Sequence, residues 1–258
     1  MIRIVTSLTP LDEPVCRYHR LREDVVLVVA KDGSGRLLDL SGEVLAISQS
    51  GVRMLECALS QDIEDASRTL SRAYRIDEAR MQSDFFAFLA SLNERHLLIR
   101  PGAEVATAST MAATLSWLMA PFILVCKVKP RLIFAKAHLL LLTAFVSIRL
   151  FGWANAIRVW HCAAGPSPYK AAGDAHDMFD IIDQVVARTV ATFPFNVSCK
   201  ERALACHLLL RAAGAESRII IGVDLLPFAM HCWCESKTRV LADHPGSNER
   251  FTPVLIYG

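Results

Sequence analysis

Cys199, His231 and Asp243 are the residue types of a nucleophile, a proton acceptor and an orienting carboxylate. They lie 231 − 199 = 32 and 243 − 231 = 12 residues apart, close enough for one compact unit to hold all three. A thiol becomes an effective nucleophile as its thiolate, an imidazole can take and return the proton, and a carboxylate can hold the imidazole in one tautomer. An isolated cysteine among the eight of this chain reads more simply as a core residue, because cysteine is one of the most buried residue types. The downstream His and Asp raise Cys199 above that ordinary reading.

The elements that must position them are legible around each residue. Ala203–Gly214 is an apolar helical run ending on a glycine suited to a C-terminal cap, so Cys199 falls at or just before the first helical turn. Free backbone N–H groups and the positive end of the helix dipole favour a thiolate there. Ser217–Leu225 is rich in β-branched residues and reads as a strand. A Leu226-Pro227-Phe228 break follows, then a second strand over Ala229–Glu235 that carries His231. A Ser236-Lys237-Thr238 turn leads to a third, Arg239–Asp243. Hairpin pairing would bring Asp243 to one ring nitrogen of His231 and leave the other for the thiol. This chain order, helix-borne Cys and strand-borne His and Asp, is that of transglutaminase-like enzymes.

A metal site is the rival chemistry, since Cys206-His207 and His231-Cys232-Trp233-Cys234 offer soft and imidazole ligands. On a regular strand, however, Cys232 and Cys234 face away from His231 and Trp233, and no C-x-x-C or H-E-x-x-H pattern occurs. His176 and Asp180 stand one turn apart on a helix expected over Asp174–Val190, where Asp174, Asp177 and Asp180 are better explained as an acidic start beside the helix dipole. Neither a metal nor a cofactor is expected.

Taken together, Cys199–Leu204, Ile220–Val223, Pro227-Phe228, His231–Glu235, Val240–Asp243 and Phe251–Pro253 resemble the leader peptidase of lasso-peptide biosynthesis. The resemblance spans roughly the last sixty residues. It implies a transglutaminase/papain-like cysteine protease domain that removes the leader from a ribosomally made precursor, with Cys199, His231 and Asp243 as its triad. It also implies a partner cyclase similar to asparagine synthetase, which closes the macrolactam ring.

The earlier part of the chain reads as a separate unit. Val25–Ala30, Arg36–Leu40 and Glu43–Ile47 are three short strands joined by a Lys31–Gly35 turn and a tight Ser41-Gly42 loop. Helices follow over Gly51–Leu59 with Ser50 as cap, over Asp65–Tyr74, and over Asp77–Glu94 with Met81, Phe85, Phe88, Leu89 and Leu92 at helical spacing. His96–Ile99 closes the unit. A three-stranded sheet plus three helices resembles the winged-helix-like precursor-recognition domain of modified-peptide pathways, which is similar to the small PQQ-pathway chaperone. That resemblance implies a leader peptide added as a strand along Glu43, Val44, Leu45, Ala46 and Ile47, with apolar side chains dropped against Phe85, Phe88 and Leu92. As residues alone, those aromatics read as core.

Pro101–Ala108 has the small-residue look of a linker, so the expected domains are 1–105 for recognition and 106–258 for peptidase, an α+β chain with a helical lead-in to the second. That lead-in is the most apolar part, Met111–Val125 and Leu132–Leu150, separated by Lys127, Lys129, Pro130 and Arg131. Its charge-free runs, Thr110–Cys126 and Ala137–Ile148, fall short of the roughly twenty residues of a spanning helix, so two buried helices are expected and membrane contact is not. Gly165-Pro166-Ser167-Pro168 reads as a loop.

With 258 residues, 53% of them apolar, the chain can bury a sizeable core, and a formal charge of +2 with both signs interspersed gives no nucleic-acid footprint. Residues 1–10 lack the apolar core of a signal peptide, which points to the cytoplasm and to reduced thiols. Two other functions fit the same residues: a non-catalytic scaffold that delivers the precursor to the cyclase, and a transglutaminase-type acyltransferase.

Overall fold

The computed structural model describes residues 3–6, 18–22, 24–40, 43–101, 133–164, 175–225, 227–237, 239–244 and 246–258. The chain divides into two compact units, Met1–Ala108 and Ser109–Gly258. The expected Ser41-Gly42 loop, most of the expected linker, the apolar stretch Met111–Val125 with the bend after it, the Gly165–Pro168 loop and Asp174 lie outside the described residues.

In the first unit, β1 (Arg3–Thr6), β3 (Val25–Val29), β4 (Gly35–Asp39) and β5 (Val44–Ile47) form an antiparallel sheet in the order β1-β3-β4-β5. The sheet has four strands where three were expected. Arg3-Ile4-Val5-Thr6 has the β-branched residues of a strand and pairs with Val26–Val29. With neighbours on both sides, β3 reads Val-Val-Leu-Val-Val and is buried along its whole length. A separate two-stranded pair joins β2 (Arg20–Leu21) to β6 (Leu98–Ile99).

Three helices, α1 (Gln49–Ser60), α2 (Ile63–Tyr74) and α3 (Glu78–Glu94), supply the rest of this core. The cap of α1 is Ser48, not Ser50: its hydroxyl accepts from the Gly51 N–H at 3.2 Å, while the Ser50 hydroxyl meets it at 3.0 Å. α2 starts two residues before the expected Asp65, which places Glu64 and Asp65 in a first turn that favours negative charge. Gly35 is required by close approach, since a Cβ there would lie 2.6 Å from Val52 on α1.

The second unit begins with α4 (Ile133–Phe151), α5 (Trp153–Ala164), α6 (Ala175–Thr192) and α7 (Cys199–Ala212). An antiparallel sheet follows, β7 (Arg218–Leu225), β8 (Phe228–Ser236), β9 (Arg239–Leu241) and β10 (Thr252–Tyr257), in the order β10-β7-β8-β9. α7 packs against β8, α4 and α6 and is the central helix, with residues 203–210 buried without a break.

α4 is long and apolar enough to cross a membrane by length and composition, and here it packs against α5, α6 and α7. It is not the fully buried helix that its composition suggests. Leu140, Leu141 and Ala144 are buried, while Phe134, Leu142, Val146 and Leu150 remain exposed, as expected of a helix on the outside of a layer. Two elements of this unit had no counterpart in the sequence reading. One is α5, set off from α4 at Gly152 (φ 77°), with Trp153, Ile157 and Trp160 buried; the other is β10, which completes the sheet beside β7.

Candidate active site

Cys199 is the first residue of α7 and Ser198 its cap. The Glu201 carboxylate accepts from the Ser198 backbone N–H at 2.8 Å and from the Ser198 hydroxyl, a capping box that fixes where the helix begins. That local sequence places the thiol among the unpaired N–H groups of the first turn.

β8 supplies the next residue. His231, Trp233 and Glu235 alternate with Cys232 and Cys234, which are buried on the opposite face. The His231 ring stacks with Trp233 at 6.0 Å between centroids and lies 5.2 Å from Phe251. The Trp233 indole N–H donates to Glu235 at 2.8 Å, which fixes the outer edge of that wall. Gly222 pairs with His231 across β7 and β8, and a Cβ there would lie 2.7 Å from Trp233 and 2.8 Å from Phe251. The glycine is therefore what lets both rings close around the imidazole.

The carboxylate sits differently from expectation. β9 ends at Leu241, so Asp243 lies beyond the strand and not on it. Ala242 adopts φ 57°, and its N–H donates to the Asp183 carboxylate of α6 at 2.6 Å. A left-handed residue at that point turns the chain back, at roughly 1–2 kcal/mol for a non-glycine side chain. Asp243 thereby presents one oxygen to Nε2 of His231. Its other oxygen accepts from the Arg202 guanidinium at 2.9 Å and from the His244 backbone N–H at 2.9 Å.

The thiol completes the series. Cys199 hydrogen-bonds with His231, and because Nε2 engages Asp243, Nδ1 is the ring nitrogen left to it. Burial alone would raise the Cys199 pKa. The hydrogen bonds from His231 and the Cys232 backbone, with the charges of His231 and Lys200, outweigh burial and hold the thiol below its ordinary range. The hydrogen bond to Cys199 raises His231 against the opposing effect of burial, helped by Asp243. Asp243 is lowered although burial opposes it, chiefly through its bond to His231. By contrast, burial pushes the thiols of Cys57, Cys232 and Cys234 up, so Cys199 stands apart from them as the thiol prepared to ionise.

The structure brings Cys199, His231 and Asp243 together. The residues of the rival metal site are engaged elsewhere: buried His207 meets the Ser217 hydroxyl at 2.9 Å, and Cys206 contacts Cys234. Among the described residues no group of three or more His, Cys, Asp or Glu side chains is arranged to hold a metal ion. Asp180 pairs with Arg239, which gives it a role between α6 and β9.

Among the described residues of the first unit, β5 is the outer strand of its sheet. Leu45, Ala46, Ile47, Met54, Phe88 and Leu92 line a groove between it, α1 and α3. Val44 is exposed at the same edge, and exposed Glu43 precedes the strand with its carbonyl accepting from the Asp39 N–H. Phe85 does not face the groove as expected; it is fully buried, because Met81, Phe85, Leu89 and Leu92 form the core stripe of α3. Leu92 is equally buried and is the floor of the groove, and Phe88 is its partly exposed wall.

Arg202 and Asp183 were missed by sequence reasoning. Arg202 carried the weak signal of standing three residues after Cys199 on one helix face, whereas nothing local marks Asp183.

Residues 139–256 match the family model described as Transglutaminase-like superfamily, from within α4 to the end of β10. No curated protein and no solved structure matches the chain. Residues 139–256 are therefore similar to the transglutaminase-like superfamily, and the Cys199, His231 and Asp243 site lies within the matched segment.

Proposed function

We propose that this chain is a cysteine endopeptidase that removes the leader from a ribosomally made lasso-peptide precursor. The observation that carries the proposal is the hydrogen-bonded series Cys199–His231–Asp243, whose one lowered thiol starts a helix in a transglutaminase-like domain. The Cys199 thiolate attacks the scissile carbonyl carbon, and the His231 imidazolium gives its proton to the departing amine, leaving a thioester on Cys199. Water, deprotonated by His231, then attacks the thioester and releases the leader as a carboxylic acid. Asp243 holds the imidazole throughout. In this reading the Cys199 backbone N–H, in the first turn of α7 where no helical carbonyl accepts from it, donates to the oxyanion.

The strand β5, outermost among the described residues, and the groove beside Phe88 support leader capture by the first unit: an extended peptide can add along β5 and set apolar side chains in the groove. In this reading the leader and an asparagine-synthetase-like cyclase are the partners, and the cytoplasm is the site of action. Mass spectrometry of the precursor incubated with wild type and with Cys199→Ala, with and without the cyclase, tests it. Two fragments meeting at the junction of leader and core, absent with the variant, are expected. A cross-linked product would mean acyl transfer, and unchanged precursor that still binds would mean a delivery scaffold.

A further inference from the structure

We infer that Arg202 is a positioning residue for the site, acting on His231 through Asp243. The inference rests on the cysteine chemistry proposed above and adds a fourth side chain to it. Arg202 stands one helical turn after Cys199 on α7 and reaches 41 residues along the chain to one oxygen of Asp243 at 2.9 Å. The other oxygen engages His231.

The Asp243 side chain is only 3% exposed, so bulk water cannot supply the hydrogen bonds its two oxygens need. Its partners are His231, Arg202, the Ser247 side chain and the His244 backbone N–H. If Arg202 is removed, the carboxylate loses its guanidinium partner and gains freedom to swing away from Nε2. The contact runs from one guanidinium nitrogen to one carboxylate oxygen, a charge-assisted hydrogen bond that anchors that oxygen while the other engages His231. α7 thus holds the nucleophile and, one turn on, the group that anchors the carboxylate behind the base. The other charged groups near Asp243 are His231 from β8, Asp183 from α6 on the Ala242 backbone, and neighbouring His244, while Lys200 on α7 acts on Cys199. Of the charged side chains on α7, it is Arg202 that bonds the carboxylate.

The test reads Cys199 directly and needs no peptide substrate. Iodoacetamide alkylation of Cys199 in the full chain, resolved from the other thiols by peptide mass spectrometry, is followed against pH for wild type, Arg202→Met, Arg202→Lys, Asp243→Asn and the Arg202→Met/Asp243→Asn pair. In Arg202→Met the midpoint of the alkylation profile moves up by about one pH unit, so the rate on its acid side falls roughly tenfold. Arg202→Lys falls between it and wild type. In the Asp243→Asn background, loss of Arg202 makes no further difference, because its effect passes through the carboxylate. A wild-type profile in Arg202→Met with only a lower unfolding temperature would overturn the inference, as would an effect of Arg202→Met that adds in full to that of Asp243→Asn. Should Arg202→Met fail to fold, the lysine variant decides by the same profile. A shifted profile in a protein that cuts no precursor would leave Arg202 in its role and remove the peptidase reading instead.

Discussion

Nε2 of His231 and a carboxylate oxygen of Asp243 meet across twelve residues of chain, closed by the hairpin of β8 and β9 and by the left-handed turn at Ala242. The hairpin brings the two stretches side by side, and the turn aims the carboxylate. Neither alone would give a base with a fixed tautomer.

The thiol and imidazole set a pH window for reactivity. Cys199 is held below, and His231 above, its ordinary value, so thiolate is lost only as pH falls through the lowered thiol value, and imidazolium as pH rises through the raised imidazole value. Cys199 is therefore expected to alkylate at pH values where Cys57, raised by burial, does not. Peptide-resolved alkylation rates across pH 5–9 check this, and equal midpoints for the two thiols would contradict it.

Asp243 links the same site to stability. Its folded pKa is depressed, so its contribution is present above the ordinary value of 3.8 and is lost as pH falls through the folded value. Thermal unfolding of wild type and Asp243→Asn is expected to differ most near neutral pH and to converge in acid. A constant gap down to strong acid would contradict the ion-pair account.

Gly222 should tolerate no side chain. The Cβ of Gly222→Ala lies 2.7 Å from the Trp233 ring, so Trp233 or the backbone must move, at about 1–3 kcal/mol, and the wall around His231 moves with it. Denaturant unfolding is expected to show the loss, and Cys199 alkylation a lower rate in the same variant. A variant with wild-type stability and reactivity would show that the rings do not need the space.

Two phenylalanines of α3 separate core from groove. Phe85→Ala opens a cavity in the first unit and is expected to destabilise it by roughly 3–5 kcal/mol, whereas Phe88→Ala should change stability much less. If β5 and Phe88 receive the leader, Phe88→Ala weakens binding of a fluorescent leader peptide and leaves Cys199 alkylation unchanged. Unaltered binding would remove this groove from the recognition role.

The setting of Cys199 and His231 was legible in the sequence because it lies in local signals. The Ser198–Glu201 capping box fixes the start of α7 and hence the setting of Cys199, and period-two alternation in β8 separates His231 from the buried Cys232 and Cys234. What was not legible depends on tertiary geometry. The turn that aims Asp243 needs Ala242 at φ 57°, a conformation alanine seldom adopts, anchored by an Asp183 side chain 59 residues away. Arg202 looks locally like any charged residue in a first helical turn. Phe85 and Phe88 differ by three positions on one helix, and only the packing of α3 decides which is core and which is wall. The strand potential of Arg3–Thr6 was in the residues, but four of them carry little weight until β3 offers an edge.

The most direct test of the central claim is to trap the acyl group on Cys199. The precursor is incubated with the protein and hydroxylamine, and the released leader is weighed by mass spectrometry. A leader ending in a hydroxamate, formed by wild type and lost in Cys199→Ala, is expected, because hydroxylamine competes with water for a thioester. Leader released only as the free acid at every hydroxylamine concentration, or hydroxamate formed equally by Cys199→Ala, would contradict Cys199 as the nucleophile.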